Sequence, residues 1–236
     1  MNAPLAIIVD NVSVQFVLTH NGSYRLKAKI IGWFKQRWRE RRENFTALDK
    51  VSLSIKQGEA VALLGHNGSG KSTLLKIIAG ILQPTSGAIK TQGRIVPMIE
   101  LGVGFHPDLT GLENIFLNAS LFGVSNEETR RKLDDIVEFS GLGNFIDVPV
   151  KNYSSGMYAR LGFSVAVHLE PDILLADEIL AVGDQAFKDK CLERIQQLRN
   201  KGMTLILVTH DAGQAKQFCQ RYVHLDHGKI IDQGIF

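Results

Sequence analysis

The chain has 236 residues, of which 44% are hydrophobic and 22% charged, and its formal net charge is +3 at pH 7. Such a chain can bury one large core, or form one domain with a subdomain attached. It contains no run of about 18 uncharged apolar residues, and its start lacks the basic and apolar regions of a signal peptide, so we expect neither a membrane span nor a secretory leader. Cys191 and Cys219 have neither disulfide nor metal spacing, which predicts structural thiols in a reducing compartment.

The predicted elements begin with β structure. Strand-like apolar runs are predicted at residues 6–9, 12–16, 51–55 and 60–64. Residues 84–87 predict a turn, and residues 89–98 predict an extended segment. The start of the chain is therefore expected to be β structure.

Helical spacing dominates the middle of the chain. Apolar residues recur at helical intervals across residues 114–139, and we expect a helical insert from residue 102 to about residue 160. Beyond it, residues 173–176 and 205–208 are short apolar runs followed by polar side chains, and residues 185–200 predict a helix between them. Alternating strands and helices predict an α/β fold with a largely parallel core sheet and its active site at the strand ends.

A phosphate-binding pattern lies between a predicted strand and a predicted helix. After residues 60–64 the chain continues with Gly65, His66, Asn67, Gly68, Ser69, Gly70, Lys71, Ser72 and Thr73. In this pattern backbone N–H groups converge on phosphate oxygens at the start of the next helix. Lys71 is expected to reach the β and γ phosphates, and the Ser72 hydroxyl to ligate Mg²⁺. The pattern predicts binding of a nucleoside triphosphate, against the alternative of a glycine-rich turn that matches by chance.

Polar side chains follow the two later predicted strands. Asp177 and Glu178 are consecutive, so their side chains leave the strand end in different directions. We expect Asp177 to hold Mg²⁺ through water and Glu178 to polarise the water that attacks the γ phosphate. His210 follows residues 205–208 and is expected to touch the γ phosphate or that water. The alternatives are a pair of surface acids and a structural histidine.

A second anion site is predicted before the helix expected at residues 158–169. Ser154, Ser155 and Gly156 would present hydroxyl and N–H groups at its N-terminus. One chain with one phosphate loop has no evident use for a second anion site, whereas a head-to-tail pair of chains would close each site over the other's nucleotide. A plain helix cap is the alternative.

Taken together, these motifs resemble the ATP-binding cassette of ABC transporters in order and spacing, over nearly the whole chain. The resemblance implies a P-loop NTPase cassette over residues 1–236, with a mostly parallel core sheet, an N-terminal antiparallel β region, a helical subdomain, and ATP and Mg²⁺ as cofactors. The implied family motifs are Walker A at residues 65–72 with Lys71 as a catalytic contact, the signature loop at residues 154–156, Walker B at Asp177, the catalytic carboxylate Glu178, the D-loop residue Asp184 and the switch histidine His210.

The sequences at residues 100–107, 153–157 and 178–184 differ from the usual family motifs. They are similar to the sequences of cassettes that export O-antigen and teichoic acid polysaccharides. Two positions of the family pattern stay open. The glutamine that usually contacts Mg²⁺ aligns with Leu101, which makes the adjacent Glu100 the candidate metal ligand. Phe16 resembles by position the aromatic residue that stacks on adenine, and Tyr24 and Phe45 compete with it.

A basic aromatic insertion separates those competitors. Residues 25–42 contain eight Lys or Arg residues, one Glu and both tryptophans, a local charge of +7. Apolar residues recur there every four positions, so a helix would be apolar on one side and cationic elsewhere. Such a helix suits a membrane interface. The alternatives are packing against its own domain and, as the resemblance favours, contact with a transmembrane partner near the channel entrance.

The resemblance implies an ATP-hydrolysing subunit that forms a homodimer around two nucleotides. It would act as a peripheral protein on the cytoplasmic face of the inner membrane, where a polytopic transmembrane subunit would export a lipid-linked polysaccharide. A cassette acting on nucleic acid or the ribosome is a less favoured alternative, since such proteins usually carry a long coiled coil or two cassettes. A transporter with another cargo is a third. Some exporters of this type continue into a C-terminal carbohydrate-binding domain, which would follow Phe236.

Overall fold

The computed structural model describes residues 4–20, 41–99, 102–177, 183–210 and 212–236. The predictions for Tyr24, Glu100, Leu101, Glu178 and almost all of the basic insertion therefore lie outside the described residues.

A three-stranded antiparallel sheet opens the chain. β1 (Leu5–His20) pairs with β2 (Arg41–Lys56) on one side and with β4 (Ser86–Thr91) on the other. The two predicted runs at the start belong to the single strand β1. A bulge near Asn11, whose φ is 50°, bends this strand without ending it.

The core sheet has six strands in the order β5-β6-β7-β3-β8-β9. They are β3 (Ala60–Leu64), β5 (Ile95–Met98), β6 (Ile173–Asp177), β7 (Thr204–Val208), β8 (Arg221–Asp226) and β9 (Lys229–Ile235). Every neighbouring pair is parallel except the hairpin β8–β9. The extended segment predicted at residues 89–98 is divided between the two sheets, because the chain turns at Gly93, whose φ is 105°.

Six helices complete the described part of the chain. They are α1 (Lys71–Ile78), α2 (Gly111–Leu121), α3 (Asn126–Ser140), α4 (Ser155–His168), α5 (Gln185–Asn200) and α6 (Ala212–Phe218), with short 3-10 turns at Gly143–Phe145 and Val150–Asn152. The helical spacing at residues 114–139 covers two helices, because Ser125 caps a new one by accepting a hydrogen bond from the Glu128 N–H. The helix predicted at residues 158–169 begins at Ser155, and α5 has its predicted bounds. The limits of a helical subdomain at residues 102 and 160 stay a prediction.

The core sheet is buried on both faces, because alternate residues of its strands point to opposite sides. Ala62, Leu174 and Leu207 belong to a cluster with residues of α2 to α5. Leu63 and Leu175 belong to a second cluster, with α1 and the N-terminal sheet. This two-sided burial explains the continuous apolar runs of the sequence. The α/β architecture predicted from them is confirmed, and it brings the carboxyl ends of β6, β7 and β3 to one edge. Within the residues described, no helix has the length and apolar character needed to cross a bilayer.

Candidate functional site

The phosphate loop joins β3 to α1 at the carboxyl edge of the core sheet. Gly65 and Gly70 have φ values of 145° and 108°. A Cβ atom on Gly65 would overlap the Leu225 carbonyl oxygen, and one on Gly70 would lie 2.8 Å from the Ala47 carbonyl oxygen. Both positions therefore require glycine, because the loop runs directly against neighbouring backbone.

The N-terminus of α1 is open to an anion. Its N-cap residue is Gly70, no side chain caps the helix, and its first turn contains no acidic residue. The first N–H groups of a helix have no partner inside the helix and carry the positive end of its dipole. This end of the helix therefore suits a phosphate group.

Lys71 brings a cation into the same loop. Its side chain is 9% exposed, and its Nζ donates to the carbonyl oxygens of Gly65 at 2.7 Å and His66 at 2.9 Å. These contacts hold the ammonium group against the loop. A phosphate that enters the loop could replace the two carbonyl oxygens as the hydrogen-bond partner of this ammonium group.

Ser72 and Asp177 meet across two elements. The Ser72 hydroxyl, in the first turn of α1, donates to Asp177 Oδ2 at 3.3 Å, at the end of β6. A hydroxyl and a carboxylate are oxygen ligands of the kind that Mg²⁺ prefers, so this pair fits the metal predicted from the sequence. Asp177 is aligned with Val208 across β6 and β7, and the exposed His210 follows two residues after that strand position. The strand ends thus bring the predicted Walker A, Walker B and switch positions to one edge.

The predicted second anion site, Ser154, Ser155 and Gly156, is called the serine motif here and lies at the start of α4. The Ser154 hydroxyl caps that helix by accepting a hydrogen bond from the Met157 N–H at 3.2 Å, and both Ser154 and Ser155 are exposed. Helix α4 packs against α2, α3, α5 and β5, whereas α1 packs against β2 and β4. A capping role for Ser154 is therefore present within one chain. The role of Ser154, Ser155 and Gly156 at a nucleotide stays a prediction.

Asp184 joins the serine-motif helix to α5. It caps α5 by accepting from the Phe187 N–H at 2.9 Å, and it accepts from the Arg160 guanidinium of α4, also at 2.9 Å. The hydrogen bond from Phe187 and the nearby Arg160 charge lower the pKa of Asp184. Arg160 also lies 5.0 Å from the centre of the Phe187 ring. Sequence reasoning missed Arg160, because its partner is 24 residues away and no local spacing pairs them.

The two described candidates for the adenine contact are cross-strand neighbours. Phe16 on β1 is aligned with Phe45 on β2, so both side chains lie on the same face of the ribbon. They are 37% and 47% exposed. The adenine-stacking role of either residue stays a prediction.

His66, predicted as a nucleotide contact, has a ring whose two nitrogens both contact other protein atoms. Its Nε2 lies 2.7 Å from Asp226 Oδ1 on β8, and its Nδ1 lies 2.7 Å from the Asn67 carbonyl oxygen. These contacts raise the pKa of His66, the hydrogen bond to Asn67 being the largest cause. Asp226 could not be paired with His66 from local sequence patterns, because 160 residues separate the two positions.

Comparison with known proteins identifies the family. The family model for ABC transporters matches residues 48–181. The O-antigen export system ATP-binding protein RfbB of Klebsiella pneumoniae is 42% identical over 225 residues, which cover 95% of this chain and 92% of that protein. The teichoic acids export ATP-binding protein TagH of Listeria innocua is 40% identical over 234 residues, which cover 99% of this chain and 68% of that protein.

Solved structures share the architecture. The ATP-binding subunit of an ABC transporter matches with a TM-score of 0.77 at 25% identity, covering 98% of this chain and 90% of that chain. A dimeric ATP-binding cassette in a post-hydrolysis state, bound to ADP and Pi, matches with a TM-score of 0.74 at 25% identity, covering 97% of this chain and 98% of that one. The chain therefore belongs to the ABC transporter family, as one of its ATP-hydrolysing cassettes.

Proposed function

We propose that this cassette powers the export of a lipid-linked polysaccharide of the O-antigen or teichoic acid type across the cytoplasmic membrane. The observation that supports this class of cargo is the sequence similarity to RfbB over almost the full length of both chains. The sequences at residues 153–157 and 178–184 support the same class. The cassette would work as a peripheral protein on the cytoplasmic face, bound to a polytopic transmembrane subunit.

The proposed reaction is hydrolysis of ATP at the edge of the core sheet. The N–H groups at the start of α1 and the Lys71 ammonium would bind the phosphates, and Ser72 and Asp177 would hold Mg²⁺, Asp177 through water. Mg²⁺ would neutralise charge on the phosphate oxygens. Glu100, the sequence candidate for an additional ligand, lies outside the described residues.

Glu178 would accept a proton from the attacking water. The water oxygen then bonds to the γ phosphorus as the bond from that phosphorus to the bridging oxygen breaks, which leaves ADP and phosphate. His210 would hold the γ phosphate or the water in line. Replacing Glu178 with Gln removes the base and should trap ATP in the site.

A second copy of the chain would complete each site. Ser154, Ser155 and Gly156 of one copy would face the nucleotide held by the phosphate loop of the other, and Asp184 would lie near that boundary. The dimeric state of a structurally similar cassette supports this arrangement. Size-exclusion chromatography of Glu178→Gln with ATP and Mg²⁺ tests it: a stable dimer that contains two ATP molecules is expected. A strictly monomeric Glu178→Gln protein at high concentration would refute it.

Residues 25–42 would contact the membrane surface or the channel entrance. Their local charge of +7 and their aromatic content support this role. His20 and Arg41 are cross-strand partners, so removal of residues 25–40 leaves a four-residue loop to close the β1–β2 hairpin. We expect the shortened protein to bind and hydrolyse ATP but to lose transport.

Reconstitution with the transmembrane subunit and a lipid-linked polysaccharide tests the cargo and the segment together. The intact cassette should support ATP-dependent transport and the shortened one should not. Full transport by the shortened cassette would refute the role of the segment only. ATP hydrolysis that responds to nucleic acid and not to the polysaccharide would refute the export function and favour the nucleic-acid alternative.

A further inference from the structure

Three side chains of types that can ligate a metal ion lie together beside the phosphate loop, and the ATP chemistry proposed above uses none of them. His66, Asp226 and His227 each offer a ligand atom, and these atoms lie within 4.8 Å of one another. The Nε2 atoms of His66 and His227 are 2.7 Å and 3.8 Å from the same oxygen, Asp226 Oδ1. The cluster spans the junction between the phosphate loop and the β8–β9 turn.

Backbone contacts hold the two sides of this junction together. His227 and Gly228 form the turn, with φ values of 44° and 75°, which is the geometry of a type I′ hairpin. The Gly228 N–H donates to the Ser69 carbonyl oxygen at 2.9 Å, and the Asp49 N–H donates to the Gly228 carbonyl oxygen at 2.8 Å. The turn is thus fixed to the phosphate loop and to β2, so the three side chains are presented by one connected unit.

The hydrogen bonding of His66 favours a ligand at its outer nitrogen. Its Nδ1 faces the Asn67 carbonyl oxygen at 2.7 Å, a contact that requires a proton on Nδ1. A neutral ring with that proton has its lone pair on Nε2, which points at Asp226. Metal-bound histidines usually donate their other N–H to a carbonyl or carboxylate in this way. A cation placed between Nε2 and Asp226 would satisfy both atoms.

We propose that His66, Asp226 and His227 bind one divalent transition-metal ion of the Zn²⁺ class, with water as a further ligand. Two imidazoles and a carboxylate form a ligand set that Zn²⁺ uses in sites with an open position. Tetrahedral ligands of Zn²⁺ lie about 3.3 Å apart, so the two observed nitrogen–oxygen distances bracket the required spacing. The His227 side chain is 84% exposed, which leaves the ion a path from solvent.

Mg²⁺ should compete poorly with Zn²⁺ for this cluster, and the two cysteines should compete poorly with the cluster for Zn²⁺. Mg²⁺ prefers oxygen ligands and keeps its waters, so the Mg²⁺ that accompanies ATP should not displace an ion from two imidazoles. The thiols of Cys191 and Cys219 are buried, and burial raises the pKa of each to about 12. Since the thiolate is the form that binds metal, neither cysteine offers an alternative site.

A bound metal ion would connect His66, the second residue of the phosphate loop, to the β8–β9 turn. An ion that binds only the folded chain raises stability by mass action, so Zn²⁺ should raise the melting temperature. Neither this effect nor the binding itself depends on ATP hydrolysis. The experiment therefore uses nucleotide-free protein, and its failure would leave the proposed export function untouched.

The test is isothermal titration of ZnCl₂ into the full chain after treatment with a chelator. We expect one ion per chain, with affinity unchanged by excess Mg²⁺. His227→Asn should weaken binding by about tenfold or more. This variant creates the Asn-Gly pair that type I′ turns favour, so the hairpin is retained. His106→Ala, which removes an exposed histidine from another loop, is the matched control and should bind as the parent does.

Thermal unfolding gives the second measurement. Zn²⁺ should raise the melting temperature of the parent and of His106→Ala, and should raise that of His227→Asn much less. Equal Zn²⁺ affinity in the parent and in His227→Asn would overturn the proposal, as would no binding to the parent.

Discussion

The Ser72 hydroxyl donates to Asp177 Oδ2 at 3.3 Å, and this contact connects the first turn of α1 to the end of β6. The two residues are 105 positions apart, and the parallel core sheet is what brings them together. A single Mg²⁺ ion held between these two side chains would contact both the helix that is proposed to bind phosphate and the strand that precedes Glu178. The predicted Walker A and Walker B motifs, which are separate in the sequence, therefore form one candidate metal site.

Asp177→Asn should lower the rate of ATP hydrolysis by about 100-fold or more. The amide has nearly the same shape but lacks the charge that is proposed to hold Mg²⁺ and its waters. Binding of ATP without Mg²⁺ should change little, since the phosphate loop is intact. Steady-state hydrolysis across a range of Mg²⁺ concentrations measures the effect. Asp189→Asn, on the exposed side of α5, is the control, and a similar rate in both variants would contradict the metal role.

Lys71→Ala should weaken ATP binding by about tenfold or more. The variant loses the ammonium that lies against the Gly65 and His66 carbonyl oxygens, and a charge-assisted hydrogen bond contributes about 1.5–3 kcal/mol. Fluorescence titration with a labelled ATP analogue measures the affinity. Lys90→Ala removes an exposed lysine from β4 and should bind as the parent does. Parental affinity in Lys71→Ala would show that the phosphates lie elsewhere.

The contact between Arg160 and Asp184 should add only a small contribution to the free energy of unfolding. The Asp184 side chain is 65% exposed, so solvent screens the ion pair and the larger part of the loss in Arg160→Met should come from the Phe187 ring contact. Asp184→Asn keeps a good helix cap and removes only the charge. Urea unfolding of both single variants and the double variant measures the coupling. Strict additivity of the two substitutions would show that the pair does not interact.

Stability around neutral pH should depend on the protonation of His66. The folded pKa of His66 is raised by the Asn67 carbonyl and by Asp226, so its charged form stabilises the fold below the unfolded pKa of about 6.5. That contribution is lost as the pH rises through the higher folded pKa. NMR titration of the histidine rings, with chelator present, should give a higher midpoint for His66 in the parent than in Asp226→Asn. Identical midpoints would mean that Asp226 does not act on this ring.

The limits of sequence reasoning in this chain follow from how its contacts are spaced. The β3–loop–α1 unit and the bounds of α5 were predictable, because apolar period and glycine placement are local signals. The contacts of Asp226 with His66 and of Arg160 with Asp184 were not predictable. The local spacing of apolar residues carries no information about which distant segments of the chain meet. The interruption near Asn11 predicts two separate strands for a different reason, because a bulge and a turn use similar residues.

The alignment of Phe16 with Phe45 changes how the adenine contact can be tested. Because the rings share one face of the β1–β2 ribbon, a base that stacks on one ring lies near the other. Stacking of a base on an aromatic ring contributes about 1–3 kcal/mol, so Phe16→Ala should weaken ATP binding by about 5-fold to 150-fold. Phe45→Ala is the matched variant, and we expect a smaller effect from it. ATP titration of both variants decides between them, and a larger loss in Phe45→Ala would transfer the stacking role to β2.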